Sequence, residues 1–350
     1  MRLVMTLLVR DEADIVESQL AFHLAAGVDF VIATDHRSQD GTTDILRRYE
    51  GEGVLRLIRR EEEGFRQAEW VTEMARLAAA EYGADWVIHA DADEFWWPRG
   101  GNLKEVLQAM PPRYGLVRGL WRNFLPRPGE GPFWERMTAR LAPRAPISDP
   151  RTPYRPNAKI AHRAHPRAQV GQGNHVLVEP PLLALHGWYP LEVLHFPIRS
   201  LEQCRRKNLT IYEALGHRRR GDHIEAVSAL RHGRLEEYYQ SLLVDDKQLE
   251  HGLASGTLVL DTRLRDALRE VTAARDEGRA PDLRFPRPTV VEEAAYAVDV
   301  AVLGEADVVR ARRRLEELEQ RLHALERRPG ARALAAIERG ARLLGRMARR

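Results

Sequence analysis

The first hundred residues alternate between short apolar segments and longer segments with helical periodicity. The apolar segments predict four buried strands, at residues 1–10, 28–34, 54–58 and 86–90. The segments between them repeat apolar residues at helical spacing, as with Trp70, Met74 and Leu77 in a helix predicted over 66–82. Strands that alternate with helices in this way predict a parallel sheet with right-handed crossovers.

After residue 100 short strands are still predicted, and from residue 200 onward helices dominate. A helix is predicted from Asn102, a candidate N-cap, to Met110, where Pro111 and Pro112 end it. Further strands are predicted at 114–125, 158–162, 173–178, 193–196 and 256–261. Further helices are predicted at 200–215, 222–232 and 234–250. The segment 126–155 is rich in proline, arginine and glycine, which predicts a loop that covers part of a site.

The C-terminal segment has a different pattern. Leucines follow a 3-4-3 spacing that Val308 and Ala311 extend upstream, with members Leu315, Leu318, Leu322 and Leu325. This pattern predicts either a short coiled coil that joins two copies of the chain or an amphipathic helix docked on the body. Residues 331–350 form a basic amphipathic tail, for which contact with an anionic membrane surface and a solvated, frayed helix are both open.

Composition limits the classes of protein to consider. The chain is 44% hydrophobic and 30% charged, and no apolar run approaches the ~18 residues of a membrane span. Its start resembles a first strand more than a signal peptide, and the single cysteine, Cys204, fits a reducing cytoplasm. A net charge of +3 does not by itself predict nucleic-acid binding.

Three carboxylates follow the strand at 86–90. Asp91 and Asp93 are two residues apart, so an extended chain directs both side chains to one side. Hard oxygen ligands in this arrangement suit Mg²⁺ or Mn²⁺ bound together with substrate phosphates. A solvated acidic turn is the alternative that the motif alone leaves open.

Other polar residues follow neighbouring strands. Arg10 ends the first strand and Asp35 ends the second, so both should meet Asp91 at one edge of the sheet, where ligands bind in open α/β folds. The chain has no glycine-rich phosphate loop of the P-loop or dinucleotide-binding type. The set therefore predicts a nucleoside diphosphate held through a metal ion, with Arg10 or Arg66 nearby.

The order of these motifs resembles a known family. Arg10-Asp11-Glu12, HLAAGVDFVIATDHRSQDGT at 23–42 and WVIHADADEF at 86–95 are similar to the family 2-like glycosyltransferases of the GT-A fold, and in particular to the branch related to family 92. The similarity continues at Gly173-Asn174-His175 and from His195 to Lys207, and covers roughly residues 1–215. One departure is Asp11, where the family pattern usually has Asn.

The resemblance implies a fold and a division of the chain. We expect an α/β, Rossmann-like GT-A domain with a mostly parallel sheet over 1–215, its nucleotide-binding half being 1–100 and its acceptor half 101–215. A helical extension would follow at 216–304, and the amphipathic or coiled-coil basic tail would occupy 305–350.

The resemblance also implies roles for individual residues. Asp35 would contact the nucleoside, expected to be uridine, while Arg10, Glu12, Arg66 and Gln67 would line the nucleotide pocket. Asp91 and Asp93 would form the metal-binding DxD motif with Mn²⁺ or Mg²⁺. For His195, a further metal or phosphate contact and a core histidine bonded to backbone are both open.

The general base is the least determined of these roles. Inverting transfer needs a base within hydrogen-bond reach of the acceptor hydroxyl, and we favour His175 because the glycines around it predict a tight turn. The alternatives are the carboxylates of Glu179, Asp149 and Glu135.

The resulting hypothesis is a metal-dependent, inverting glycosyltransferase that uses a nucleotide-sugar, expected to be a UDP-sugar, in glycan or polysaccharide synthesis. Its acceptor would be a glycan, a lipid or a protein-linked group, and no nucleic acid would be involved. The expected location is the cytoplasm or the inner face of the membrane, with self-association through the C-terminal helix. Alternatives are a non-catalytic GT-A-like scaffold and, less favoured because the usual glycine-rich loop is missing, a nucleotidyltransferase.

Overall fold

The computed structural model describes residues 1–142, 157–215 and 223–326, which form a mixed α/β structure. The predictions for Asp149 and for the tail after residue 326 lie outside the described residues. The strands are, in chain order, β1 (Leu3–Val9), β2 (Phe30–His36), β3 (Leu55–Arg60), β4 (Trp86–Asp91), β5 (Glu94–Pro98), β6 (Leu116–Asn123), β7 (Ala139–Leu141), β8 (Ala158–Arg163), β9 (Gln169–Val170), β10 (Leu177–Glu179), β11 (Leu191–His195) and β12 (Leu258–Leu260).

Helices flank these strands and dominate after residue 200. They are α1 (Val16–Ala25), α2 (Thr42–Gly51), α3 (Gln67–Ala80), α4 (Leu103–Gln108), α5 (Phe133–Arg136), α6 (Leu201–Leu215), α7 (His223–Arg231), α8 (Leu235–Leu242), α9 (Asp246–Ala254), α10 (Arg263–Asp276) and α11 (Val290–Glu326). A 3₁₀ turn spans Gln172–Asn174. Among the described residues, no helix combines the length and the apolarity that crossing a bilayer requires.

The central sheet of the described chain has eight strands in the order β3-β2-β1-β4-β8-β6-β11-β5. Neighbours β3, β2, β1 and β4 are parallel, and β6 is parallel to β11. Strand β8 is antiparallel to both β4 and β6, and β5 is antiparallel to β11. Six of these eight strands therefore point in one direction, which confirms the predicted, mostly parallel α/β sheet.

Apolar residues cover both faces of the sheet, because side chains alternate along a strand. On β1, Leu3, Met5 and Leu7 pack into one cluster with residues of α1, α2 and α4, whereas Val4 and Leu8 pack on the opposite face with α3. Continuous apolar runs such as 3–9 are thus the expected sequence of strands that are buried on both sides.

Most predicted elements are confirmed within a few residues, and three predictions were wrong. Strand β5 was missed, since its five buried residues follow β4 after a two-residue turn and read as part of the same aromatic run. Residues 173–178 form the end of a 3₁₀ turn and the start of β10, where a strand was predicted. The helix predicted at 234–250 is divided, because the side chain of Asp245 accepts a hydrogen bond from Gln248 N at 2.7 Å and caps a new helix.

Residues after 215 complete the same core. Leu264 and Leu268 of α10, together with Phe285, belong to the apolar cluster that contains Leu3. Strand β12 pairs with β7, which places part of the predicted loop at 126–155 in a two-stranded sheet. The helical part of the chain therefore packs against the sheet that carries the N-terminal motifs.

Among the described side chains of helix α11, those of its first turns anchor it to the sheet. The Tyr296 hydroxyl donates a hydrogen bond to Tyr189 O, and Asp299 pairs with the buried guanidinium of Arg122. Arg122 Nε also donates to Glu192 Oε1 at 2.5 Å, so this part of the interior is held by a network of charges. The network compensates the cost of removing these charges from water.

The packing of β6 against β5 and β11 generates a stability prediction. A methyl group at Gly119 would lie 2.7 Å from Trp96 Cζ3 and 2.8 Å from Val193 Cγ2, closer than carbon atoms can approach. Gly119→Ala should lower the free energy of unfolding by roughly 1–3 kcal/mol, measured by chemical denaturation. Gly51→Ala, at the end of α2 where nothing lies within 4 Å of the added carbon, is the matched control and should be neutral or stabilising. Equal stability of the two variants would contradict this packing.

Candidate functional site

Polar residues gather where β1, β2 and β4 end, as predicted. The loops at this edge contain strained backbone: the non-glycine residues with positive φ among those described are Asp11 (55°), Arg37 (60°) and Asn174 (61°). Asp and Asn adopt this left-handed conformation more readily than other residues that carry a side chain. Asp11 can therefore replace the usual Asn without a change of backbone, and its Oδ1 accepts from Gln39 N at 2.7 Å.

Asp91, the last residue of β4, is surrounded by donors from the chain itself. Its Oδ2 lies 2.7 Å from Lys159 Nζ, while its Oδ1 accepts from Gln67 Nε2 at 3.1 Å and from Asn174 Nδ2 at 3.3 Å. Gln67 Oε1 in turn accepts from the backbone N–H of Gly173 at 3.2 Å. Asp91 thus joins the start of α3 to the turn at 172–174.

Lys159 of β8 lies between two carboxylates. Its Nζ is 3.0 Å from Glu94 Oε1 as well as 2.7 Å from Asp91, and its side chain is buried. Burial alone would lower the pKa of this ammonium group, but the two carboxylates outweigh it and raise the pKa. Burial raises the pKa of Glu94 to about 8, and Glu94 also accepts from Trp121 Nε1 at 3.0 Å.

Asp93 has a different set of neighbours. Its Oδ2 lies 2.6 Å from Lys207 Nζ of α6 and 3.6 Å from His195 Nε2 at the end of β11. Burial would raise the pKa of Asp93, but the nearby cations, Lys207 first among them, outweigh it and hold the pKa well below its ordinary value. Asp93 is therefore an ionised, buried carboxylate whose charge is balanced by one ammonium group.

The orientation of His195 is set by a hydrogen bond and by stacking. Its Nδ1–H donates to Asn123 Oδ1 at 2.7 Å, and its ring stacks on Trp121 with 4.1 Å between centroids. This tautomer leaves a lone pair on Nε2, which points toward the Asp93 carboxylate. Burial lowers the pKa of His195, which favours the neutral, ligating form. An outer hydrogen bond that fixes the tautomer is typical of histidines that bind metals.

Asp93, Glu94 and His195 form the candidate metal centre. One ligand atom from each of these residues lies within 4.8 Å of the other two. Octahedral Mg²⁺ binds its ligands at about 2.0–2.1 Å, so two of its ligand atoms are roughly 3–4 Å apart. The separation of 3.6 Å between Asp93 Oδ2 and His195 Nε2 fits this requirement. The structure thus brings Asp93 and His195 together as predicted, and Glu94 is the third member of the group. Asp91 lies outside it and shares the contact with Lys159 with Glu94.

A buried arginine joins the first loop to the segment after β11. Arg199 Nε donates to Asp14 Oδ2 at 2.8 Å, and the same guanidinium pairs with Glu12. Burial raises the pKa of Glu12 to about 7 against the lowering effect of Arg199. Glu12 lies on the loop after β1, and its carboxylate positions Arg199.

The remaining predicted nucleotide contacts differ in accessibility. Asp35 is fully buried, where its oxygens accept from Ser38 N at 3.2 Å and from Thr43 Oγ1 at 2.5 Å. It therefore orders the turn after β2. Arg66 is exposed at the start of α3, 3.8 Å from Glu69, and Arg10 Nε lies 3.7 Å from Asp11 Oδ2.

His175 lies beside the same indole as His195. Its Nδ1 donates to Ala158 O at 2.8 Å, its Nε2 is 3.2 Å from Asn157 Nδ2, and its ring meets Trp121 edge to face. Of the alternative bases, Glu135 forms an ion pair with the exposed Arg269. Its Oε1 accepts from Arg269 Nε at 2.7 Å and its Oε2 accepts from Arg269 Nη2 at 2.6 Å.

Sequence reasoning did not assign Lys159, Asn123 or Trp121 to the site, and it noted Lys207 only within the family pattern. A usable signal was present, because almost all of the 54 cationic residues are arginine and Lys104, Lys159, Lys207 and Lys247 are the exceptions. Two of these rare lysines contact the carboxylates of 91–94. Asn123 and Trp121 lie in an ordinary strand pattern that carries no such signal.

Comparisons with known proteins agree with the motifs. The sequence profile of Glycosyltransferase family 92 matches residues 6–116, which extend from β1 to the start of β6. No curated protein matches the chain by sequence.

Solved structures with similarity to the chain include glycosyltransferases. S. aureus TarS 1-349 in complex with UDP-GlcNAc shares 12% identity at a TM-score of 0.34, over 89% of this chain and 92% of that one. A longer S. aureus TarS structure shares 14% identity at a TM-score of 0.32, over 67% of this chain and 43% of that one. Glucosyl-3-phosphoglycerate synthase from Mycobacterium tuberculosis, in complex with Mn²⁺, UDP and glucosyl-3-phosphoglycerate, shares 21% identity at a TM-score of 0.26. The match covers 35% of this chain and 44% of that one.

The chain thus spans less than half the length of two of these proteins, and the identities and TM-scores are too low to transfer ligands or residue roles. The family match covers the segment that holds Asp35, Asp91 and Asp93, and it confirms the resemblance found in the motifs. Residues 6–116 of the chain are related to glycosyltransferase family 92.

Proposed function

We propose that the chain is a metal-dependent glycosyltransferase that transfers a sugar from a nucleotide diphosphate donor, expected to be a UDP-sugar, to an acceptor hydroxyl with inversion. The observation that carries the proposal is the pair formed by Asp93 and His195. An ionised carboxylate oxygen and a neutral imidazole lone pair face each other across 3.6 Å at the edge of the sheet, and Asp93 lies in the segment that matches family 92.

Asp93 and His195 would hold Mn²⁺ or Mg²⁺, with Glu94 next to them. Carboxylate oxygen and imidazole nitrogen are ligands that Mn²⁺ accepts. A bound ion would neutralise the charge that develops on the departing diphosphate. Because Asn123 Oδ1 accepts the proton on His195 Nδ1 in a hydrogen bond, His195 Nε2 carries no proton and can bind a metal ion.

Donor binding would use the cations and amides around these carboxylates. Gln67, the first residue of α3, donates to Asp91, Arg10 and Glu12 follow β1, and Arg66 is exposed next to Gln67. The contact of Asp35 with uridine stays a prediction, and the observed bonds of Asp35 support a role in shaping the turn that would enclose the nucleoside.

Asn174 adds a polar atom that has no hydrogen-bond partner among the described residues. Its side chain is buried, its backbone is left-handed, and its Oδ1 has no donor within reach although its Nδ2 binds Asp91. A buried carbonyl oxygen without a donor costs free energy, which a ligand hydroxyl can recover. We assign this oxygen to a sugar hydroxyl of the donor or the acceptor.

Inversion requires that the acceptor oxygen bond to the anomeric carbon from the side opposite the diphosphate, while the bond to the diphosphate breaks and its electron pair stays on the phosphate oxygen. The acceptor proton passes to a base. His175 Nε2 is such an acceptor, because its Nδ1–H is committed to Ala158 O. An acceptor hydroxyl would replace the Asn157 amide at this nitrogen.

Asp93→Asn tests the metal centre. The amide keeps the shape of the side chain but loses its charge, so Mn²⁺ affinity, measured by calorimetry or by electron paramagnetic resonance of free Mn²⁺, should fall at least about 100-fold. Transfer from a UDP-sugar should be lost with it. Asp44→Asn, in an exposed position of α2, is the matched control and should change neither measurement. Full turnover in Asp93→Asn would exclude this mechanism, and metal and donor binding without turnover in the unmodified chain would favour the non-catalytic scaffold.

Lys207→Met tests competition for the same carboxylate oxygen. Because the Lys207 ammonium group lies 2.6 Å from Asp93 Oδ2, a metal ion must displace it or share the oxygen with it. The uncharged variant should bind Mn²⁺ about tenfold more tightly, a change of ~1.4 kcal/mol, while turnover falls.

Lys159→Met is the matched comparison. This change leaves Asp91 and Glu94 without their shared cation, so it should lower the free energy of unfolding by about 3–5 kcal/mol.

Weaker Mn²⁺ binding by Lys207→Met would show that Lys207 supports the ion and does not compete with it.

His175→Ala tests the base. Removal of a general base should lower the rate of transfer by about 10²- to 10⁴-fold at saturating donor, with the donor dissociation constant within about twofold of the unmodified chain. His232→Ala, on the surface after α7, is the control. A loss of donor affinity in His175→Ala would instead place His175 in the donor pocket.

A further inference from the structure

The part of α11 after residue 300 carries a stripe of apolar side chains, and those that the structure describes are exposed to solvent. The first turns of the helix are buried through Tyr296 and Asp299, but from Ala301 to Glu326 every side chain that the structure describes is exposed. These 26 residues extend about 39 Å at 1.5 Å per residue. An isolated helix of this kind gains no stability from packing, which is the main source of helix stability in proteins.

The exposed apolar residues of this segment follow a heptad repeat. Val308, Leu315 and Leu322 occupy position a and are 60%, 58% and 55% exposed, and Leu318 at position d is 47% exposed. By the same repeat Ala311 is also a d residue, and Leu325 is the last one before Pro329. Leucines that recur every three and four residues form the contact stripe of a coiled coil.

The charges beside this stripe select the partner. In a parallel, in-register pair of helices, position g of one chain meets position e of the next heptad in the other chain. The three g–e pairs of this repeat all join opposite charges: Asp307 with Arg312, Arg314 with Glu319, and Arg321 with Glu326. An antiparallel pair that overlaps the same leucines would instead bring Arg314 next to Arg321 of the other chain, which is repulsive.

We infer that residues 305–326 of two copies of this chain form a parallel, in-register coiled coil, so that the protein is a homodimer. The occupant of the apolar stripe is the same stripe of the second copy, because only a copy in register satisfies each of the three charge pairs. The dimer would join the two catalytic bodies at the same end of the coiled coil.

The first experiment measures the mass of the full chain by light scattering across a concentration series. The expected mass is twice the 40.0 kDa of one chain, with dissociation on dilution because the repeat is short. Leu315→Glu with Leu322→Glu should give one chain mass and an unchanged melting temperature, since both side chains are exposed in the single copy. A mass of one chain at every concentration would overturn the proposal.

The second experiment tests the charge pairs. Glu319→Arg alone and Arg314→Glu alone should each weaken the dimer, because each places like charges at the facing positions. A mixture of the two variants restores opposite charges at both contacts, and dimers should form again. Failure of the mixture to dimerise would overturn the pairing.

The third experiment tests the direction. Leu322→Cys should form a disulfide between two copies under mild oxidation, because a parallel pair in register places residue 322 opposite itself. Gln320→Cys, on the outer side of the repeat, is the control, and the native Cys204 is buried. Cross-linking of Leu322→Cys only with Ala311→Cys would show an antiparallel pair, in which a positions face d positions, and would overturn the proposal. It would also be overturned if the unmodified chain were a monomer that bound vesicles of anionic lipid through these leucines.

Discussion

The buried ammonium group of Lys159 and the partly exposed one of Lys207 make it possible to place the carboxylates of Asp93 and Glu94 inside the protein. An ionised carboxylate without a partner in the interior costs several kcal/mol, and three carboxyl groups, of which Asp93 and Glu94 are buried, lie within four residues. Lys159 lies between Asp91 and Glu94, and Lys207 contacts Asp93, so each ionised group has a cation in contact. A site with this much negative charge is stable before any ligand binds.

Both lysines come from elements that are distant in sequence from the carboxylates. Lys159 belongs to β8, which enters the sheet antiparallel between β4 and β6, and Lys207 belongs to α6, beyond β11. The carboxylates after β4 can therefore reach their buried positions only when the later strands and α6 are in place. Formation of the site and completion of the fold are one cooperative event, and activity lost through a change in β8 can have a purely structural cause.

Local patterns predicted the parts of the structure that depend on local interactions. The apolar runs predicted β1 to β4, and the rule that parallel strands end at one edge predicted that Arg10, Asp35 and Asp91 lie in one region. The position of Lys159 could not be predicted in this way, because it depends on which strand pairs with β4 and in which register. The same holds for Asn123, whose bond to His195 depends on the pairing of β6 with β11.

Strand β6 connects the site to the helix that extends from the body. Successive side chains point to opposite faces of a strand, so Trp121 and Asn123 face His195 while Arg122 faces Glu192 and Asp299 of α11. The anchor of α11 and the support of the candidate metal ligand are consecutive residues. A displacement of this strand by a ligand must therefore act on the helix, and a displacement by the helix must act on the ligand, with the same free energy of coupling in both directions.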